Sequence, residues 1–255
     1  KVLAGEGGQK ESTGAASAFL NGGRTGANSA PLVGAYGSGG GLAGIFSTDL
    51  VPLSTPQYAA PTAYLVAGSG GAGGYSNGGC GGAGGGGLGD AGGQTSEDNE
   101  NQTGGGSPAS EASGGGGSPS AGGQGGVTPS STAQSGGLFF GGKGSTPGAA
   151  AGGGGAGYYG GGGGAGGGGS SYFGHPQISS GQDEEGSAEE GGGTAISGYQ
   201  AGTNEAGAQG SGEGEAGEDG FVLITGTSLG TAATTIFSNA FAAGTVPTTT
   251  RVVVF

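Results

Sequence analysis

Glycine recurs in threes through the middle of this chain, and that phase constrains the fold more than any single motif. Ser69, Ala72 and Tyr75 are three apart, with glycine pairs between them, and Cys80 and Ala83 repeat the spacing. Leu88, Ala91 and Gln94 do so with one Asp substituted, and Ala121, Gln124 and Val127 do so without interruption. Ser135 and Leu138, then Phe140 and Lys143, show the same interval. In the longest run Ala156, Tyr159, Ala165 and Ser171 share one phase, while positions 154, 157, 160, 163, 166 and 169 are all glycine. The phase slips between blocks, so the unit is a short segment and not one continuous helix.

A three-residue period belongs to a helix of the polyproline-II type, left-handed and extended, which has no internal hydrogen bonds. Glycine enters it without proline. In a Gly-Gly-X repeat two of the three edges carry no side chain, so neighbouring helices can approach closely and pair their N–H and C=O groups across the gap. Such pairing answers the requirement that buried backbone groups be bonded. The third edge, holding Ala, Tyr, Leu or Ser, is expected to lie on the outside or fill the bundle surface. Segments of six to twelve residues would run roughly 19 to 37 Å at about 3.1 Å per residue. Turns are expected at the polar breaks 95–103, 107–113, 129–134 and 145–148. A flexible Gly/Ser linker, the competing reading, has no reason to keep phase.

Composition narrows the function class. Of 255 residues 77 are glycine and 10 proline, and only 9% are charged, whereas a globular enzyme is about a quarter charged. Collagen is excluded because glycine does not occupy every third position throughout and proline is sparse. The net charge of −13 disfavours nucleic acid and anionic membrane surfaces as partners. No apolar stretch is long enough to span a bilayer. Without an initiator methionine or a basic-then-apolar leader, the chain is expected to be a processed product or a segment of something longer. Cys80, alone in the sequence, permits no internal disulfide and reads as a small side chain in an Ala-like slot.

Three zones follow. Residues 1–66 carry short β-like runs at 1–4, 18–20, 42–46 and 62–67, punctuated by Pro and Gly. Residues 67–217 form the glycine-rich zone with polar and acidic loops. Residues 218–255 return to strand character at 221–225, 234–237 and 249–255. Nowhere is there a 3.6-residue apolar period, and glycine disfavours helix by about 1 kcal/mol per position. Almost no α-helix is expected.

The stretch Ala63-Tyr64-Leu65-Val66-Ala67-Gly68-Ser69-Gly70-Gly71 resembles the strand entering the glycine-rich region of the anaplastic lymphoma kinase and leukocyte tyrosine kinase ectodomains. The run 152–172 is similar to their long glycine block, and Glu218-Asp219-Gly220-Phe221-Val222-Leu223-Ile224 to the strand that leaves it. Similar glycine-rich domains occur in secreted and fibre-associated proteins. The resemblance covers roughly residues 60–225. It implies an all-β fold: a β-sandwich like that of tumour necrosis factor, formed by the first and third zones, with a polyglycine-II bundle inserted. With no kinase, membrane span or disulfide framework in the sequence, receptor signalling and ligand contacts are not carried over.

Candidate chemistry is sparse. Gly137-Leu138-Phe139-Phe140-Gly141-Gly142-Lys143 has the spacing of a phosphate loop, but Gly144 stands where Ser or Thr would hold magnesium and no helix follows. His175, the single histidine, has Asp183 nearby in sequence but no nucleophile elbow, and reads as a structural residue closing the glycine run. Ten of the 18 carboxylates lie between 183 and 219. Asp183, Glu184, Glu185, Glu189 and Glu190 are weak calcium candidates whose order matches no loop motif. Neither a catalytic residue nor a cofactor is expected. Asn101 heads an Asn-Gln-Thr glycosylation sequon, and 107–110 and 128–132 suit O-glycosylation.

These residues point to a non-enzymatic, extracellular or cell-surface structural protein, a subunit of a filament or fibre whose partner is itself. Arg251, Val252, Val253, Val254 and Phe255 form the expected assembly strand, and Lys1–Ala4 is the other apolar terminus. Unpaired edge strands recruit other chains, and strand addition is an established mode of recognition. The alternative is an adhesin or receptor-type binding module. It would use Tyr75, Tyr158, Tyr159, Tyr172 and Phe173 as an exposed aromatic face toward a glycan or cell-surface partner.

Overall fold

The computed structural model describes residues 1–8, 10–11, 36–48, 51–52, 58–59, 62–72, 81–85, 113–128, 131–145, 152–179, 181, 222–223 and 253–254. In chain order the strands are β1 (Val2–Leu3), β2 (Lys10–Glu11), β3 (Tyr36–Gly37), β4 (Ala43–Phe46), β5 (Val51–Pro52), β6 (Tyr58–Ala59), β7 (Ala63–Ala67), β8 (Val127–Thr128), β9 (Ser131–Thr132), β10 (Val222–Leu223) and β11 (Val253–Val254). No helix occurs among the described residues. The apolar runs at 1–4, 42–46 and 62–67 all become strands, while those at 18–20 and 234–237 lie outside the described residues.

The largest sheet is small, open and antiparallel, in the order β1-β4-β7. Val2 faces Ile45 and Ile45 faces Leu65, while Leu3, Gly44 and Val66 form the next row. The register shifts between Ile45 and Phe46, which brings Phe46 opposite Ala63. Glycine is required at position 44, because a Cβ there would lie 2.7 Å from the Leu65 carbonyl oxygen and 2.9 Å from the Phe46 ring. Leu42, Phe46, Ala63 and Val66 are buried with Phe139 and Ala156 from the glycine zone, and Leu3, Leu138, Tyr158 and Tyr172 pack against them. The remaining strands form pairs: β2 with β3, β5 with β6, β8 with β9, and β10 with β11.

From the sheet the chain runs directly into glycine segments, 37–41 leading into β4 and 68–72 leaving β7. The hydrogen bonds of residues 160–164 recur every third residue. The N–H groups of Gly160 and Gly163 go to Gly137 and Gln134, those of Gly161 and Gly164 to Gly155 and Gly152, and that of Gly162 to Gly115. The carbonyls follow the same rule, Gly160 and Gly163 accepting from Gly123 and Gly126, Gly161 from Gly142, and Gly162 from Gly167. Segment 159–164 therefore bonds to six others: 113–117, 122–126, 133–137, 140–145, 152–157 and 166–171.

Those six also bond to one another in a closed ring. Gly115 donates to Gln124, Gly136 to Gly123, Gln134 to Lys143, Gly154 to Gly142, Gly155 to Gly167, and Gly117 to Gly168. Behind segments 152–157 and 166–171 lies a further layer. Ser69 donates to Ala156 and Ala72 to Gly153, while Gly82 donates to Gly166 and Ala156 to Gly40. Non-glycine residues inside are small. Ala83, Ala156 and Ala165 are buried, and Ser69 Oγ donates to carbonyl oxygens of Gly40 (2.5 Å) and Ala156 (3.0 Å). Ser113 Oγ is buried without a hydrogen-bond partner.

Candidate functional site

The aromatic residues read as a possible recognition face are reached through a tight turn. Gly137 and Phe140 exchange backbone hydrogen bonds of 3.0 and 3.2 Å, which leaves Leu138 and Phe139 at the tip. Phe139 has φ of 64°, a value usually taken by glycine in such a turn. Its ring is buried and meets Phe46 of β4 edge-on at 5.3 Å. It also meets Tyr158 edge-on at 5.8 Å. Tyr158 in turn meets Tyr159 edge-on at 5.3 Å and stacks on Tyr172 at 4.3 Å and 16°. The chain closes on the sheet, since Tyr172 and Val66 donate to each other's carbonyls at 2.8 Å. Burial holds the Tyr158 phenol above its ordinary pKa, and the phenols of Tyr172 and Tyr159 add to the effect.

The candidate face is thus divided. Tyr158, Tyr159 and Tyr172 form a seam joining sheet to glycine segments, and of the four described members of the face only Phe173 is exposed, at 37%. Tyr75 lies outside the described residues. The sequence did not single out Phe46 or Phe139, the two most buried rings of the seam; the Leu-Phe-Phe run between two Gly-Gly pairs was the available signal.

His175 packs against Tyr64 at 4.3 Å. Its Nδ1 accepts the Gln177 N–H at 3.2 Å and its carbonyl accepts the Ile178 N–H at 2.8 Å. It closes a turn at the end of the glycine run. The phosphate-loop spacing at 137–143 forms no cradle: the Gly142 N–H bonds to Gly161 and Lys143 points to solvent. Asp183, Glu184, Glu185, Glu189, Glu190, Cys80 and Asn101 lie outside the described residues. Among the described residues no three metal-ligating side chains come together, and no helix is long and apolar enough to cross a membrane.

Of the assembly strand, Val253 and Val254 form β11. It pairs with β10 of the same chain, Val222 opposite Val254 and Leu223 opposite Val253, and runs close to β7. Arg251, Val252 and Phe255 lie outside the described residues. The chain matches no known family model, no curated protein and no solved structure.

Proposed function

We propose that the protein is a non-enzymatic extracellular structural subunit of a filament or fibre, built as a polyglycine-II bundle seated on a β-sandwich. The observation that carries this is the three-residue recurrence of hydrogen bonds around 160–164, with six neighbours closed into a ring. A three-fold extended helix has three residues per turn, so residues three apart address the same neighbour. A flexible linker has no such rule. Support for the second sandwich layer comes from Val2, Ile45 and Leu65, an in-register apolar row on the sheet that is half-buried. The C-terminal strands β10 and β11 are its natural source, as the resemblance to the receptor ectodomains implies.

Backbone-to-backbone bonding makes this chain a scaffold, with its polar groups committed to one another. Assembly is assigned to the terminal strands. Because β11 already pairs within the chain, a polymer forms by exchange: β11 of one copy occupies β10 of the next and keeps the same bonds. Such swapping is a low-cost route between copies. Negative-stain microscopy of the native material tests the reading, with helical filaments expected. Discrete particles at every concentration would overturn it and favour a binding module. Deleting residues 248–255 is expected to abolish polymerisation, and normal filaments from that variant would remove the strand from the mechanism.

A further inference from the structure

The glycine segments are layered unevenly. Behind 152–157 and 166–171, where glycine fills nine of twelve positions and all but Ser171 are buried, a further layer (37–41, 68–72 and 81–85) is hydrogen-bonded. Outside 122–126, 133–137 and 140–145 no such layer occurs among the described residues. Each of those three segments has a long side chain turned outward. Gln124, Gln134 and Lys143 are exposed, whereas Gly123, Gly125, Gly126, Gly141, Gly142 and Gly144, on the inward edges, are buried.

The spacing inside the ring explains why this matters. A Cβ built on Gly160, Gly161 or Gly162 would lie 2.0 Å from a carbonyl oxygen, of Phe140, Gly167 and Gln124 respectively. Where two segments face each other at these positions, side-by-side packing therefore leaves no room for even a methyl group. By the same geometry a side chain on an outward edge holds any further glycine segment away.

We propose that Gln124, Gln134 and Lys143 are lateral stops. They fix the width of the bundle and close this face to the glycine segments of a second copy, as edge residues blunt the edges of β-sheets. The proposal rests on reading the segments as polyglycine-type helices, and it restricts growth of any polymer to the chain ends. Bare glycine edges would otherwise continue the packing rule of the interior, and copies would fuse side by side.

The test turns on one methyl group. A triple variant, Gln124→Gly with Gln134→Gly and Lys143→Gly, is compared with the triple Ala variant. Both lose the same amide groups and the same charge, but only the Ala variant keeps a Cβ. Light scattering and negative-stain microscopy are read together, with circular dichroism to check folding. The Gly variant is expected to at least double in mass and widen laterally, while the Ala variant keeps the wild-type width. If the Gly variant keeps the wild-type width, or the Ala variant widens equally, the proposal falls. Should the triple Gly variant not fold, Gln134→Gly with Lys143→Gly opens one groove and is read the same way. Wild-type morphology decides the filament reading separately, because widening is measured relative to wild type whether that is a particle or a filament.

Discussion

A methyl group added at Gly161 would sit 2.0 Å from the Gly167 carbonyl oxygen and 2.2 Å from its carbon. Both neighbours are backbone, fixed by hydrogen bonds, so neither can rotate away as a side chain would. Gly161→Ala is accordingly expected to destabilise by ~3 kcal/mol or more, the upper range for overpacking a tight interior. Gln124→Ala, on an exposed edge, is expected to stay within about 0.5 kcal/mol. Chemical denaturation of the two variants checks the contrast, and comparable losses would mean the segments are not closely packed. Phe139 presents the opposite case, a large residue held at φ of 64°. The left-handed region costs a residue with a Cβ about 1 kcal/mol, here offset by burial of the ring against Phe46 and Tyr158. Phe139→Ala loses the ring and keeps the strain, for an expected cost of ~3 to 5 kcal/mol. Phe139→Gly loses the ring but relieves the strain. The Gly variant should therefore be the more stable by about 1 kcal/mol, although glycine is ordinarily the worse replacement. An Ala variant at least as stable as the Gly variant in the same denaturation series would exclude a strained turn.

At the scale of elements, the seam Phe46–Phe139–Tyr158–Tyr172 is what couples the sheet to the glycine segments, and Tyr158 gives it a pH signature. Its phenol has a folded pKa raised above 10.0, chiefly by burial. The folded state therefore keeps its proton where the unfolded chain has begun to lose one. Stability from this group is complete below about pH 10 and is lost as pH rises through the folded value. Tyr158→Phe keeps the ring and removes the proton, so thermal melts should lose less stability between neutral pH and pH 11 than wild type does. Parallel alkaline decline in both proteins would remove Tyr158 as the cause. Much at this scale was legible beforehand. The runs at 1–4, 42–46 and 62–67 were apolar enough to mark strands, and the triplet spacing of Ala121, Gln124 and Val127 marked an outward edge that is indeed exposed. The expected outward edge does not hold throughout: Ala83, Ala156 and Ala165 are buried, whereas Ala121, Gln124 and Lys143 are exposed. Turns were harder. Polar breaks at 129–134 became the hairpin β8–β9, but the reversal at 138–139 is made of Leu and Phe, and that at 164–166 of Gly, Ala and Gly. Neither stands out by composition from the segments it joins. The partners of each glycine were also beyond reach, because identical glycines carry no address and the ring is closed by long-range pairing.

Across the whole molecule, a net charge of −13 opposes any association of copies, and contacts between them must be short-range or screened. Repulsion between exposed charges falls off within ~8 Å at physiological ionic strength, so the proposed terminal-strand exchange should be slowest at low salt. The strand itself offers a direct probe. Leu223 and Val253 are opposed across the β10–β11 pair, where Cα atoms lie ~4.5 to 5.5 Å apart, close enough for a disulfide. A variant with Leu223→Cys and Val253→Cys, in a Cys80→Ala background to remove the native thiol, reports which chain supplies β11. Oxidised as dilute single copies, it should close within the chain and run as one band without reductant. Oxidised after assembly, it should link each copy to the next and run as a ladder that collapses on reduction. A single band from assembled material would mean that β11 never leaves its own chain. Assembly would then have to use another edge, of which β1 at the outer side of the three-stranded sheet is the next to test. A ladder whose yield rises with salt would join the two halves of the argument, since the same exchange would then be limited by charge and completed by unchanged strand pairing.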